Sequence, residues 1–311
     1  MIPSISVVLA TRRRAHLLAP LVAAVLGDPA TEEFVVVVDG PDDASMGTLA
    51  ALAVRHPRLT AFDVPHMGQQ RALDAAIARV GSEVVLTLDD DVLPDPGLVS
   101  GHARRHQDDE DLVVVGAMPV VIGSQDRASV GTRLYAEEYE SRCRSWASGR
   151  ADVLENLWGG NFSLRRRHAV AVGLHSGRYD HHYHADQDFG FRLAEAGLRG
   201  VFDPSLRAVH LHHRSNTSFL RDARRQGAAW RTLCQTHPGR AGAEHELAAR
   251  RLGSPLRATV ALAAATPAAT PIAHSLLLGG TALRSVGVPG ADVNAARLAR
   301  RIMQRRGAGH S

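Results

Sequence analysis

Val84-Val85-Leu86-Thr87-Leu88-Asp89-Asp90-Asp91 is five apolar or β-branched residues running directly into three carboxylates, with Pro94 just beyond. A short, unbroken run of this kind reads as a strand buried on both faces. Toward the N-terminus the same unit repeats. Residues 5–10 are mostly apolar, 33–38 form a second run leading into Asp39-Gly40-Pro41, and 59–64 a third. Between them apolar residues fall at helical spacing over 15–26, 45–55 and 68–80. The order is βαβαβαβ, which predicts an α/β fold with a Rossmann-like, doubly wound, mostly parallel sheet covered by helices on both faces. In such sheets ligands bind beyond the carboxyl ends of the strands, where Asp39 and the acidic triplet both fall.

Beyond the triplet the pattern is less regular. A strand pair or one long strand is expected over 112–122, a helix over 133–146, a short strand over 161–164, a helix over 186–196 and a strand over 207–212. After Ser215 the strand signal ends, and helices are expected at 216–234 and 241–252. Residues 258–283 then carry no charge. They are long enough to span a bilayer, but Pro267, Pro271, His274 and many alanines favour a pair of short packed helices, of a kind that can lie against a membrane surface.

Composition narrows the class. The 311 residues are 45% hydrophobic and 22% charged, the profile of a globular chain rather than a disordered one. All 36 basic residues are arginines, and the net charge of +4 hides a split. Residues 1–188 hold 18 arginines against 26 acidic residues, and 189–311 hold 18 against 6. An acidic first part suits metal or sugar chemistry; a basic second part suits an anionic ligand or surface. Only 14 aromatics and no recognition motif argue against nucleic acid as a partner. Cys143 and Cys234 fit no metal or redox spacing. The N-terminal apolar run precedes the arginines at 12–14, the reverse of secretory order, so a cytoplasmic location is expected.

Four further groups suggest chemistry, each with a plainer reading beside it. Asp89, Asp90 and Asp91 suit a hard divalent ion but also a solvated, helix-capping turn. In 156–167, NLWGGNFSLRRR, Gly159 and Gly160 allow close approach of a ligand that Trp158 and Asn161 can touch, or simply a turn entering a strand. Asp186 and Asp188 open a helix, where the dipole keeps a carboxylate ionised for capping or for work as a general base. His210 and His212 alternate onto one face of a strand as metal ligands or as structural histidines.

In order and spacing these pieces resemble the family 2 glycosyltransferases of the GT-A fold, over roughly residues 4 to 215. The resemblance implies a bacterial-type, metal-dependent, inverting enzyme that moves a sugar from a UDP- or dTDP-linked donor to an acceptor hydroxyl, in cell-surface glycan or glycosylated-metabolite synthesis. It implies a GT-A domain over 1–215, with a nucleotide-binding half 1–92 and an acceptor-binding half 93–215, followed by a basic helical region 216–311. By position, Thr11, Arg13, Asp39, Arg71, Asp89 and Asp90 are implied to bind the donor. Asp91, Asp89, His210 and His212 are implied to hold Mg or Mn, and Asp186 to be the base. Trp158, Gly159, Gly160, Asn161 and Asp188 are implied on the acceptor side. The C-terminal arginine-rich helices resemble tails that meet lipid-linked acceptors at the inner face of a membrane.

The sequence departs from the family pattern at Ala10, at Ala72-Leu73-Asp74, where an arginine is usual and Arg71 is the nearest substitute, and at Ala185, where a second carboxylate is frequent. Two other readings fit the residues less well. A sugar nucleotidyltransferase would want a glycine in Thr11-Arg12-Arg13-Arg14, and a sugar-nucleotide binder without turnover would not need Asp186.

Overall fold

The computed structural model describes residues 1–120, 122, 129–179, 183–211, 215–240 and 254–309. It divides into two compact units, one of residues 1–121 and 140–211, the other of 122–139 and 212–311.

The first unit is built on one eight-stranded sheet. Strands β1 (Ile5–Thr11), β2 (Thr31–Asp39), β3 (Leu59–Val64) and β4 (Val84–Leu88) alternate with helices α1 (Ala15–Gly27), α2 (Asp43–Ala53) and α3 (Gln69–Ile77). Every residue of β1 and β4 is buried, as their unbroken apolar runs require. One face packs on α3: Val8, Val35, Val37 and Val85 share a core with Ala72, Leu73, Ala76 and Ile77, the i, i+3, i+4 stripe of that helix.

Then follow β5 (Val92–Pro94), α4 (Leu98–Arg105), β6 (Leu112–Ala117), α5 (Val130–Ala147), β7 (Asn161–Arg165), α6 (Arg166–Val172), α7 (Ala185–Glu195) and β8 (Arg199–His210). The sheet order is β3-β2-β1-β4-β7-β6-β8-β5. Of its seven pairings four are parallel; β7 runs antiparallel to both β4 and β6, and β5 antiparallel to β8.

The largest changes of boundary fall in two strands. The strand pair or long strand expected over 112–122 is one strand ending at Ala117, and among the described residues an isolated bridge joins Val120 to His210 beyond it. The strand expected over 207–212 begins at Arg199, because Arg199 to Phe202 pair in parallel with Leu112 to Val115 before a register shift opposite Gly116 and Ala117. That irregularity, at Asp203-Pro204, interrupts the alternation from which a strand is read. His212 lies outside the described residues.

The second unit holds helices α8 (Asn216–Thr236), α9 (Ser254–Ala265), α10 (Ala269–Ser285) and α11 (Ala291–Gly309). Ser215 caps α8, its hydroxyl accepting from the Ser218 N–H at 3.2 Å. The charge-free stretch is indeed two helices, broken around Pro267. Among the described residues no helix is long and apolar enough to cross a membrane. The helix expected at 241–252 lies outside the described residues. Asp292, 2% exposed, sits between Arg133 and Arg284 and ties α11 to α5 and α10.

The placement of α7 depends on one missing side chain. A Cβ at Gly190 would run into the Leu154 carbonyl and approach the Leu157 Cβ to 2.9 Å, so the helix can lie against the 154–157 loop only with glycine there. Gly190→Val is therefore expected to cost about 1–3 kcal/mol by overpacking, read as a lower midpoint of thermal unfolding; an unchanged midpoint would refute this account of the packing.

Candidate active site

The carboxyl ends of β1, β2 and β4 bring together Thr11, Asp39 and the acidic triplet. Because β7 is antiparallel to β4, its amino end and the preceding Gly159-Gly160 arrive at the same edge. Strand β8 returns alongside β5 and sets His210 opposite Val92.

Around the triplet the contacts are specific. Thr11 Oγ1 donates to Asp90 Oδ2 at 2.8 Å, and Arg14 Nη1 lies 2.7 Å from Asp90 Oδ1 and 2.5 Å from Asp91 Oδ2. His210 Nε2 is 3.2 Å from Asp91 Oδ1, and the Leu211 N–H donates to the Asp91 carbonyl. Asp89 is fixed from two sides, its N–H donating to the Gly160 carbonyl at 3.0 Å and its Oδ1 accepting from Gln69 Nε2 at 2.7 Å. Gly160 adopts φ +103°, and a Cβ there would overlap the Asp89 carboxylate and come 2.9 Å from Met118 Sδ. One residue earlier, the Gly159 N–H donates to Asp186 Oδ2 at 3.1 Å, and a Cβ on Gly159 would stand 2.9 Å from that carboxylate. Asp186 also accepts a hydrogen bond from the Gln70 side chain.

These surroundings divide the carboxylates by proton affinity. Desolvation by the enclosing protein, then the charge of Asp91, pushes Asp89 up to about 7. Desolvation also raises Asp90, against the pull of Arg14. Asp91 goes the other way: the same desolvation is outweighed by its hydrogen bond to His210 and the His210 and Arg14 charges, which hold it below the usual carboxylate range. Asp186 is pushed up to about 6 by desolvation, opposed by the Gly159 N–H and Gln70.

The remaining candidates are placed as follows. Asp39 accepts from the Met67 N–H at 2.7 Å, the Gly68 N–H at 3.1 Å and His66 Nδ1 at 2.8 Å, tying the loop that leads into α3. Arg13 takes a left-handed φ of +57° with its N–H on Asp42. Its side chain is exposed, and Arg14 rather than Arg13 meets the triplet. Arg71 lies on the exposed side of α3, and Trp158 packs partly buried against the core. Asn161 is 0% exposed, bonded to His102 Nε2 at 3.0 Å and to the Leu206 carbonyl at 3.0 Å. Asp188 is 1% exposed and paired at 2.9 Å with Arg192, which also donates to the carbonyls of Val172, Gly173 and Leu174. Neither Asn161 nor Asp188 has the open face that contact with an acceptor would need.

Sequence reasoning missed Arg14, Gln69 and Gln70. Arg14 was hidden in a run of three arginines, because only the left-handed turn at Arg13 decides which one faces inward. The glutamines are hidden because the family pattern points to an arginine in α3; their signal is position, in the first turn after Gly68.

Residues 6–169, just over half of the chain, match the model of glycosyl transferase family 2. The chain belongs to that family. In fold, this glycosyltransferase is similar to the mannosyltransferase PcManGT from Pyrobaculum calidifontis in complex with GDP-Man and Mn2+, with TM-score 0.65 and 18% identity over 98% of this chain and 86% of that one. It is also similar to GalNAc-T7 with UDP, GalNAc and Mn2+, with TM-score 0.54 and 13% identity over 69% of this chain and 44% of that one. The fold is GT-A, with C-terminal helices added. No curated protein sequence matches the chain.

Gly160→Ala tests the close approach. The added methyl displaces Asp89, and kcat/KM is expected to fall about a hundredfold with the far-ultraviolet dichroism retained; an unaltered kcat/KM would show that the approach is dispensable.

Proposed function

We propose that this glycosyltransferase moves a sugar from a UDP- or dTDP-linked donor to an acceptor hydroxyl with inversion at the anomeric carbon, Asp186 taking the hydroxyl proton. The observation that carries the reading is the pair of adjacent glycines. Gly159 holds Asp186 and Gly160 holds Asp89, so one residue step separates a carboxylate suited to an acceptor from a cluster suited to a donor diphosphate. A base near 6 is largely deprotonated at neutral pH yet still accepts a proton readily. On the donor side, Thr11 and Asp90 fix the end of β1, while Asp39 and Arg13 shape the two loops beside it. Arg71 is the reserve cation for the phosphates, and Trp158 offers its ring to the acceptor. Asn161 and Asp188 act from behind, as positioning residues.

The residues at the end of β4 also fit a divalent cation. Asp89 and Asp91 follow the same strand, and His210 Nε2 lies 3.2 Å from Asp91 Oδ1. Carboxylate oxygens with one imidazole suit Mg or Mn, which keeps most of its coordination for substrate phosphate and water. Among the described residues no three His, Cys, Asp or Glu form a metal cage by themselves, and a phosphate-bridging ion needs only one or two carboxylates. Asp91 and Asp89 would supply the carboxylates, and His210, beside Asp91, would orient them. When bound, the ion neutralises charge on the leaving diphosphate.

The acceptor in this reading is lipid-linked and met at the cytoplasmic face of a membrane, during assembly of a cell-surface glycan. Supporting it, the second unit carries 17 arginines against 7 acidic residues, an excess suited to anionic headgroups.

Asp186→Asn is expected to lower kcat by about 10²–10⁴-fold while calorimetry shows nucleotide affinity preserved; wild-type turnover in the variant would remove Asp186 from the mechanism. The pH profile carries the same assignment. The base works only when deprotonated, so kcat should rise with pH through about 6 and level off above it, and a rate that falls across that range would reverse the sign. In a panel of UDP-, dTDP- and GDP-linked sugars, hydrolysis is expected with the first two, abolished by a chelator and restored by Mg or Mn. Hydrolysis indifferent to chelation, or confined to GDP-linked sugars, would overturn the metal or the donor reading respectively.

A further inference from the structure

The second unit's positive charge is not distributed as its sequence suggests. In the arginine-rich helix α11, Arg297 lies 3.0 Å from Glu137, and Arg300 is paired with Glu138. Asp292 takes Arg133 and Arg284, and Asp222, largely buried, has Arg221 beside it at 3.7 Å. All four described carboxylates of this unit are thus matched to arginines.

The neighbouring helices α9 and α10 show the complementary feature. Their inner stripes are buried, with Val260, Ala264, Ala269 and Ala273 packed in clusters that include Ile302 and Met303 of α11. Their outer stripes are open and apolar. Leu262 is 72% exposed, Leu278 69%, and Val286, just past α10, 76%; Leu256, Leu283 and Val288 are exposed as well. Residues 256–288 therefore hold six of the twelve large exposed hydrophobic residues of the chain's described part, and they contain no acidic residue. Singly exposed leucines need no explanation, but a run of them over one helical hairpin marks an interaction surface.

We propose that the outer stripes of α9 and α10, with the turn at 286–288, form a docking surface for the headgroup layer of an anionic lipid bilayer. Charge decides between occupants. The unit's 17 arginines against 7 acidic residues attract a negative surface, whereas a second copy would set two such units against each other. The hairpin lies on the membrane rather than across it, since no described helix can span one. This deepens the membrane-side acceptor proposed above and rests on it, yet reassigns the contact from the basic helix α11 to the apolar pair beside it.

The test is flotation of the full chain with vesicles of phosphatidylglycerol and phosphatidylcholine, and with vesicles of phosphatidylcholine alone. Binding is expected to the anionic vesicles only, and to weaken with added salt. Leu262→Glu with Leu278→Glu is expected to reduce it at least about tenfold, and Val286→Ser, in the turn, to reduce it less while leaving the helices untouched. Equal binding by wild type and both variants would overturn the proposal. So would absence of vesicle binding together with a dimer in sedimentation that the double variant makes monomeric. Donor hydrolysis is read without vesicles and flotation without donor, so failure of the catalytic reading and failure of this one are distinguishable.

Discussion

Asp89, Asp90, Asp91 and Asp186 crowd one edge of the sheet, and the mutual repulsion of carboxylates withdrawn from water is the constraint the rest of the site answers to. Each is compensated differently: Asp91 by His210 and Arg14, Asp90 by Thr11 and Arg14, Asp89 by Gln69, and Asp186 by the Gly159 N–H and Gln70. The compensation is unequal, and the inequality has chemical content. One carboxylate is left firmly ionised, and three are left with raised proton affinity. Environments that push like groups apart are how a single set of aspartates is divided among cation binding and proton transfer.

Around that edge the fold supplies positions that only its topology makes available. The antiparallel course of β7 turns two glycines toward the strand ends of β1 and β4, and glycine is required at both because carboxylates stand where a Cβ would be. Behind them a buried polar network, His106 to Ser163 to His102 to Asn161, fixes β7 from the rear. Burial keeps those two imidazoles neutral, lowering His102 to about 3 and His106 to about 4, so the network adds no charge beside the acidic cluster.

How far the sequence disclosed this depended on the range of the interaction. Strand β4 was legible to the residue, because a fully buried strand is written as an unbroken apolar run. The carboxylates Asp39, Asp89, Asp91 and Asp186 were legible as candidates because strand and helix ends expose them to ligand. The start of β8 was not, since Asp203-Pro204 breaks its alternation and the pairing that rescues it comes from residues 112–115. Nor was the inward turn of Arg14, which depends on a backbone angle at Arg13. Asn161 and Asp188 read as contact residues from their place in a motif, yet their partners, His102 and Arg192, hold both inside the protein. The arginine excess was visible as a count, but which arginines are already matched to carboxylates is a property of packing alone.

In the proposed mechanism one enclosed carboxylate, Asp186, faces the donor cluster across a single residue step and directs attack from the opposite side of the sugar. The anomeric configuration of the product, read by NMR coupling constants during turnover of an α-linked nucleotide sugar, tests it most directly. The account predicts a β-linked product; an α-linked product would contradict it.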